Sequence, residues 1–231
     1  MNKVGGLHHI AITTADMKGQ IEFFTEKLGM ELVALYWMHG VANTFHGFLR
    51  LNDESSVAFV HNPQIGEIPV EMGQTHAGNP GANCAKGTMQ HLAFRVADVD
   101  ELLAMRDRLR SKGVPVIGPK DHGFCMSIYF AGPENLSLEL SCSAEPINAE
   151  AWIDPEVVGL CGISDDELAR YKQSADYRND GPPVPQPGID APGPHMTNYP
   201  PKVYEAILRT SDEKMLANSE NQPPVQLDAA D

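Results

Sequence analysis

One stretch of this chain occurs twice. His9-Ile10-Ala11-Ile12 and His91-Leu92-Ala93-Phe94 match by residue type, and each leads into an Ala-Asp pair, Ala15-Asp16 and Ala97-Asp98, at the same offset. A repeat of this kind fixes the architecture, because both copies must build the same supersecondary unit.

The first copy reads as strand, helix and three strands. Leu7 to Thr13 alternates apolar and polar residues, as a half-buried strand does. His8 and His9 are neighbours, so on a strand they point to opposite faces, and only His9 has a counterpart in the second copy. Asp16 suits the N-cap of a helix over Met17 to Leu28, whose apolar residues Met17, Ile21, Phe24 and Leu28 keep helical spacing. Gly29 ends it. Strands are expected at Met30 to Tyr36, Thr44 to Leu51 and Ser56 to Val60, with a turn through Asn52 to Ser55. His61 to Lys86, rich in Gly, Pro and Asn, reads as a connecting loop.

The second copy has its helix over Val99 to Ser111, with Val99, Leu102, Met105 and Leu109 on one side, and Gly113 after it. Its strands are expected at Val114 to Ile117, Ser127 to Phe130 and Leu136 to Ser141. The fold class is therefore α+β. Two βαβββ modules, 5–63 and 87–143, joined by loop 64–86, make one domain over residues 5–143 as a mixed, partly open barrel.

Beyond Cys142 the pattern stops. Ser164-Asp165-Asp166-Glu167 is a capping box before a short helix. Gly181 to Pro201 is proline-rich and should run extended. Lys202 to Asn218 fits an amphipathic helix, and Ser219 to Asp231 reads as a disordered tail. Residues 144–231 are thus an extension, and the proline arm suits wrapping a neighbouring subunit in a homo-oligomer, a dimer or larger.

Charge narrows the partners. A formal net charge of −14 opposes binding to phosphate backbones and to anionic membranes. No apolar run approaches the roughly 20 residues of a membrane span, and Met1 to Gly6 carries no apolar signal core, so a cytoplasmic location is expected. The four cysteines lie far apart with no Cys-x-x-Cys pair, which argues for reduced, mostly buried thiols.

The chemistry gathers in the second copy. Gly132-Pro133-Glu134-Asn135 is a tight turn, and Tyr129 and Glu139 lie symmetrically about Glu134, so they should stand opposite each other on one face. If the two sheets face each other, His9 and His91 take matching places on the first strands and reach the cavity that Glu139 faces. A carboxylate in so apolar a strand is costly unless paired. Two imidazoles and one carboxylate form a facial triad with open positions. That set suits Fe(II) first, with Mn(II), Zn(II), Ni(II) and Co(II) as competitors. The strand of the first copy that aligns with Glu139's, Ser56 to Val60, holds no carboxylate, so a fourth protein ligand is absent from that place.

These residues resemble the vicinal oxygen chelate superfamily of glyoxalases, epimerases, resistance proteins and type I extradiol dioxygenases. The stretch Asp121-His122-Gly123, Ile128-Tyr129-Phe130, Pro133 and Glu139 looks specifically like the extradiol signature. The resemblance implies His9, His91 and Glu139 as metal ligands. It implies Tyr129 as the contact to a catechol oxygen and His122 as a pocket residue, the two together moving protons. It implies a small catechol-like substrate and O2 as partners. The family's further acid–base histidine has no evident counterpart, since Ser55-Ser56 stands before the last strand of the first copy; His46, His61 and His76 are the candidates to replace it. A glyoxalase-like lyase, isomerase or epimerase, and a small-molecule binding or resistance protein, are the other classes this fold serves.

Overall fold

The structure is a computed structural model and describes residues 4–226. Two β-α-β-β-β modules are present. The first comprises β1 (His9–Thr13), α1 (Met17–Glu26), β2 (Glu31–Trp37), β3 (Phe45–Asn52) and β4 (Ser55–His61). The second comprises β5 (Leu92–Arg95), α2 (Val99–Ser111), β6 (Ile117–Asp121), β7 (Met126–Ala131) and β8 (Ser137–Cys142). Each forms a four-stranded mixed sheet of the same order, β1-β4-β3-β2 and β5-β8-β7-β6, with the first strand parallel to the last. Neither sheet closes into a barrel.

Both helices start where a capping aspartate allows. Asp16 accepts from Gly19 N at 2.9 Å and Asp98 accepts from Glu101 N at 2.9 Å, which supplies partners to otherwise orphan amides of the first turn. Met17 and Phe24 of α1 and Leu102 and Leu109 of α2 are buried, but Val99 remains exposed at the start of α2. Alternation then sorts each sheet. Val57 and Phe59 of β4, with Phe94, Ile128, Leu138 and Leu140 of the second sheet, join the helices in one core that spans both modules. Phe24 of α1 meets Phe94 of β5 edge-on at 6.2 Å. Arg108 on α2 donates to the carbonyls of Lys27 (2.8 Å) and Glu26 (3.1 Å).

A further link joins the modules at a turn. Glu134 and Asn135 adopt left-handed backbone (φ 52° and 63°). The Glu134 carboxylate accepts from Thr14 Oγ1, from Ala15 N at 2.8 Å and from Gln20 Nε2 at 2.8 Å. Gln20 lies fully buried on the helix face between Met17 and Phe24, a place that apolar spacing assigns to a hydrophobic residue.

Two expected elements are placed differently. The strand expected at Val114 to Ile117 begins only at Ile117 and runs on to Asp121; Val114 and Val116 pack against the core before pairing starts. The single helix expected over Lys202 to Asn218 is two, α6 (Pro201–Leu208) and α7 (Asp212–Ala217). Ser211 makes the break, because its side chain caps α7 by accepting from Lys214 N.

After β8 come α3 (Ala149–Trp152), α4 (Pro155–Leu160) and α5 (Asp165–Lys172). Ser164 and Glu167 form the expected capping box at the head of α5. Residues 6–174 make one compact unit, and residues 175–226 belong to a second. In the second unit, 181–199 carries no helix or strand, and Tyr199 and Tyr204 stack at 6.0 Å. Of the expected tail, 219–226 is without helix or strand, and 227–231 lies outside the described residues. The four cysteines are unpaired; Cys142 is buried, but Cys161 is exposed. Among the described residues no helix is long and apolar enough to cross a membrane.

Candidate metal centre

Strand register determines which side chains share a face. In the second sheet Phe94, Leu140 and Ile128 stand side by side toward the helix, so the neighbouring rung, Ala93, Glu139 and Tyr129, points the other way. His91, just before β5, points the same way as Ala93 by alternation. Glu139 is only 5% exposed. Its Oε2 lies 3.0 Å from His91 Nε2, and its Oε1 accepts from Ser141 Oγ at 2.6 Å. Ser141 Oγ is bonded in turn to Ser127 Oγ at 2.8 Å. Since Ser141 donates to the carboxylate, Ser127 donates to Ser141, and the hydroxyl row is directed at Glu139.

His91 is oriented from behind. Gln90 Nε2 donates to the carbonyls of Asn79 and Ala82, both at 3.1 Å. That fixes the amide with Oε1 toward His91, so Oε1 accepts from His91 Nδ1–H. Nε2 is then the nitrogen presented to Glu139. A metal-binding imidazole characteristically donates its other N–H to such an outer partner. The connecting loop thereby acts on the site through Gln90, a residue sequence reasoning passed over; its position next to His91 was the available signal. Gln90→Leu is expected to weaken divalent-metal binding roughly 10–100-fold, read by titration against a chelator. Unchanged affinity would deny Gln90 any orienting role.

Tyr129 stands directly opposite Glu139, as the symmetric turn requires. Its hydroxyl is 2.8 Å from His122 Nε2. Burial, with the nearby Glu139 charge, raises the phenol above its ordinary range against a weaker opposing contribution from Ser127. Tyr129 therefore stays a protonated donor at neutral pH. His122 sits in a turn whose next residue must be glycine: Gly123 has φ +85°, and a Cβ there would come within 2.7 Å of the Trp152 ring. Trp152 of α3 also packs against Phe124 at 4.9 Å, so the segment after β8 braces the loop that carries His122.

His9 occupies the matching place in the first sheet. His9 pairs with Ser56 as Leu92 pairs with Leu138, one rung later. Its ring lies against Phe48 at 5.6 Å, and its Nδ1 is 2.8 Å from His8 Nδ1. The structure thus brings His91 and Glu139 together and leaves His9 turned to its own sheet. Among the described residues no group of three His, Cys, Asp or Glu side chains is drawn close enough to hold a metal. The donor chemistry of His91 and Glu139 nonetheless fits a divalent ion: one imidazole nitrogen with its N–H anchored behind it, and one buried carboxylate. Glu139's place in the first sheet is filled by Ala58, since Ala93 pairs with Glu139 and Ala11 with Ala58.

Of the three histidines considered for the acid–base role, His61 is tied through Nδ1 to the Thr14 carbonyl at 3.0 Å. His76 lies in the loop with Nδ1 2.9 Å from Thr75 Oγ1. His46 shares the face of His9, and its buried Nε2 has no partner. Burial, and after it the charge of His9, lowers its pKa, so His46 is held neutral.

The family model of the Glyoxalase/Bleomycin resistance protein/Dioxygenase superfamily matches residues 6–140, both modules together. The chain belongs to this superfamily. Solved structures similar to this superfamily member include three worth naming. An integron cassette protein from the Halifax Harbour sewage outfall metagenome is 24% identical, over 60% of this chain and 99% of its own, with a TM-score of 0.43. The antibiotic-binding protein TnmS3 from Streptomyces sp. CB03234 is 18% identical, over 61% and 98%, with a TM-score of 0.44. A lactoylglutathione lyase from Agrobacterium tumefaciens is 16% identical, over 60% and 94%, with a TM-score of 0.42. No curated protein matches.

Proposed function

We propose that the chain is a metal-dependent extradiol-type dioxygenase that opens a catechol-like aromatic diol with O2, using Fe(II) held by His91 and Glu139, with His9 completing the set by turning its ring away from Phe48 and His8. The observation that carries this reading is the Glu139–Tyr129 rung: a buried carboxylate already partnered by His91 Nε2, with a protonated phenol opposite it and His122 2.8 Å beyond. A divalent ion bound there would act as Lewis acid and template for two vicinal oxygens. The chain's own groups do the rest. Tyr129 donates to a substrate oxygen, and His122 Nε2, bonded to the same hydroxyl, passes or receives that proton. Ser141 holds Glu139 in place. Ala58, standing where a second carboxylate would stand, leaves three protein donors and room for a bidentate substrate. We place the enzyme in the cytoplasm as a homo-oligomer, acting on a small molecule and not on nucleic acid or membrane.

The test is metal content after anaerobic purification, paired with oxygen consumption on a panel of catechols. Near-stoichiometric iron with oxygen uptake is expected. Zinc, nickel or cobalt without oxygen uptake would point instead to a lyase or isomerase, and a chain that takes up no metal to a binding protein.

A further inference from the structure

We propose that a subsite for an anionic substituent lies one rung from the metal centre, built on Arg95, so that the substrate is an aromatic diol bearing a carboxylate. This rests on the ring-cleavage reading above. Arg95 stands opposite Ser141, Ser141 opposite Ser127, and Ser127 opposite Lys120 on β6. That rung directly follows the rung of Ala93, Glu139 and Tyr129, and its Cα atoms lie about 7 Å further along the strands. A cation therefore stands at each end of the rung next to the carboxylate. The two serines between them are already committed, each donating in the direction of Glu139.

Arg95 is exposed, and among the described residues no hydrogen bond or ion pair engages its guanidinium. It lines a cavity of about 390 Å³ with Ala93, Ser141, Glu145 and Pro146. Ala93 belongs both to this cavity and to the metal rung, so the two spaces adjoin. Glu145 forms no ion pair with Arg95, which leaves the five guanidinium donors available for a planar carboxylate. The setting makes the choice of ligand sharper. A chain with a net charge of −14 repels an anionic substrate at long range, so such a substrate needs a local, unpartnered cation to be held. A diol chelated at the metal centre with a carboxylate across the ring spans about one rung.

The test uses the full chain loaded anaerobically with Fe(II), and titrates catechol and 3,4-dihydroxybenzoate in parallel. The carboxylated diol should bind about tenfold more tightly or better, as one charge-assisted pair allows. Arg95→Gln should remove most of that preference and Arg95→Lys should keep part of it. Equal affinity of the two ligands, or a preference that survives Arg95→Gln, would overturn the subsite while leaving ring cleavage standing. Failure of both diols to bind would overturn the ring-cleavage reading, and the subsite with it.

Discussion

Glu139→Gln is expected to abolish the divalent-metal binding proposed for His91 and Glu139 while leaving the fold intact. The substitution keeps the side chain's shape in a position that is 5% exposed. It replaces one carboxylate oxygen with an NH2 group that cannot ligate and that adds a donor beside Ser141. Loss of an outer partner of a metal ligand costs about 10–100-fold in affinity, and loss of the ligand itself should exceed that. Apo stability should change little, because a neutral amide does not carry the desolvation cost of a buried carboxylate, and the partner His91 is exposed to water. The two effects separate in one experiment. Added metal should raise the melting temperature of the native chain by binding the folded state alone, and should leave Glu139→Gln where it was. An equal metal-induced shift in both proteins would remove Glu139 from the ligand set. A collapse of apo stability in the variant would mark the carboxylate as a structural group.

The rung that carries this prediction was legible from the chain. The duplication set the register of the two first strands, and the turn about Glu134 set Tyr129 opposite Glu139. Local capping was equally legible, at Asp16, Asp98 and Ser164. Contacts that depend on where distant segments meet were not. Pro119 lies within β6, which is an edge strand, where a residue lacking an N–H is tolerated. Gly118, at φ +106°, lets that edge approach β7, since a Cβ there would lie 2.8 Å from the Ser127 carbonyl. The sequence placed His9 at the right rung but could not state its ring orientation, which is a matter of rotamer and of neighbours such as Phe48. Gln90 was hidden for the same reason: its partners, Asn79 and Ala82, lie in a loop with no periodicity to read.

The least legible feature was Glu134, and it supports the second large effect. Glu134→Gln should destabilise the chain at neutral pH and cease to do so in acid. Burial alone pushes this carboxyl's pKa up. Donors from Thr14, Gln20 and the Ala15 and Asp16 amides outweigh it and hold the pKa below the ordinary glutamate value. A carboxyl depressed in the folded state stabilises the fold fully above its unfolded value, about 4.3, and loses that contribution as pH falls through the lower folded value. The group is partly open to water, so its loss should cost about 1–2 kcal/mol at pH 7, a shift of several degrees in a chain of this size. An amide in its place would turn N–H groups toward the donors of Thr14 and Gln20, the latter with no exposed surface. Thermal melts of both proteins from pH 7 down to pH 3 should therefore converge. A gap that stays constant across that range would assign the cost to packing. A double-mutant cycle with Gln20→Leu should return a coupling of about 0.5–3 kcal/mol at pH 7, because the two side chains share one hydrogen bond across the module junction. Additive effects there would mean that the Gln20 hydrogen bond adds nothing at the junction, leaving the Thr14 and Ala15 donors to Glu134, the Phe24–Phe94 core and the Arg108 contacts to join the modules.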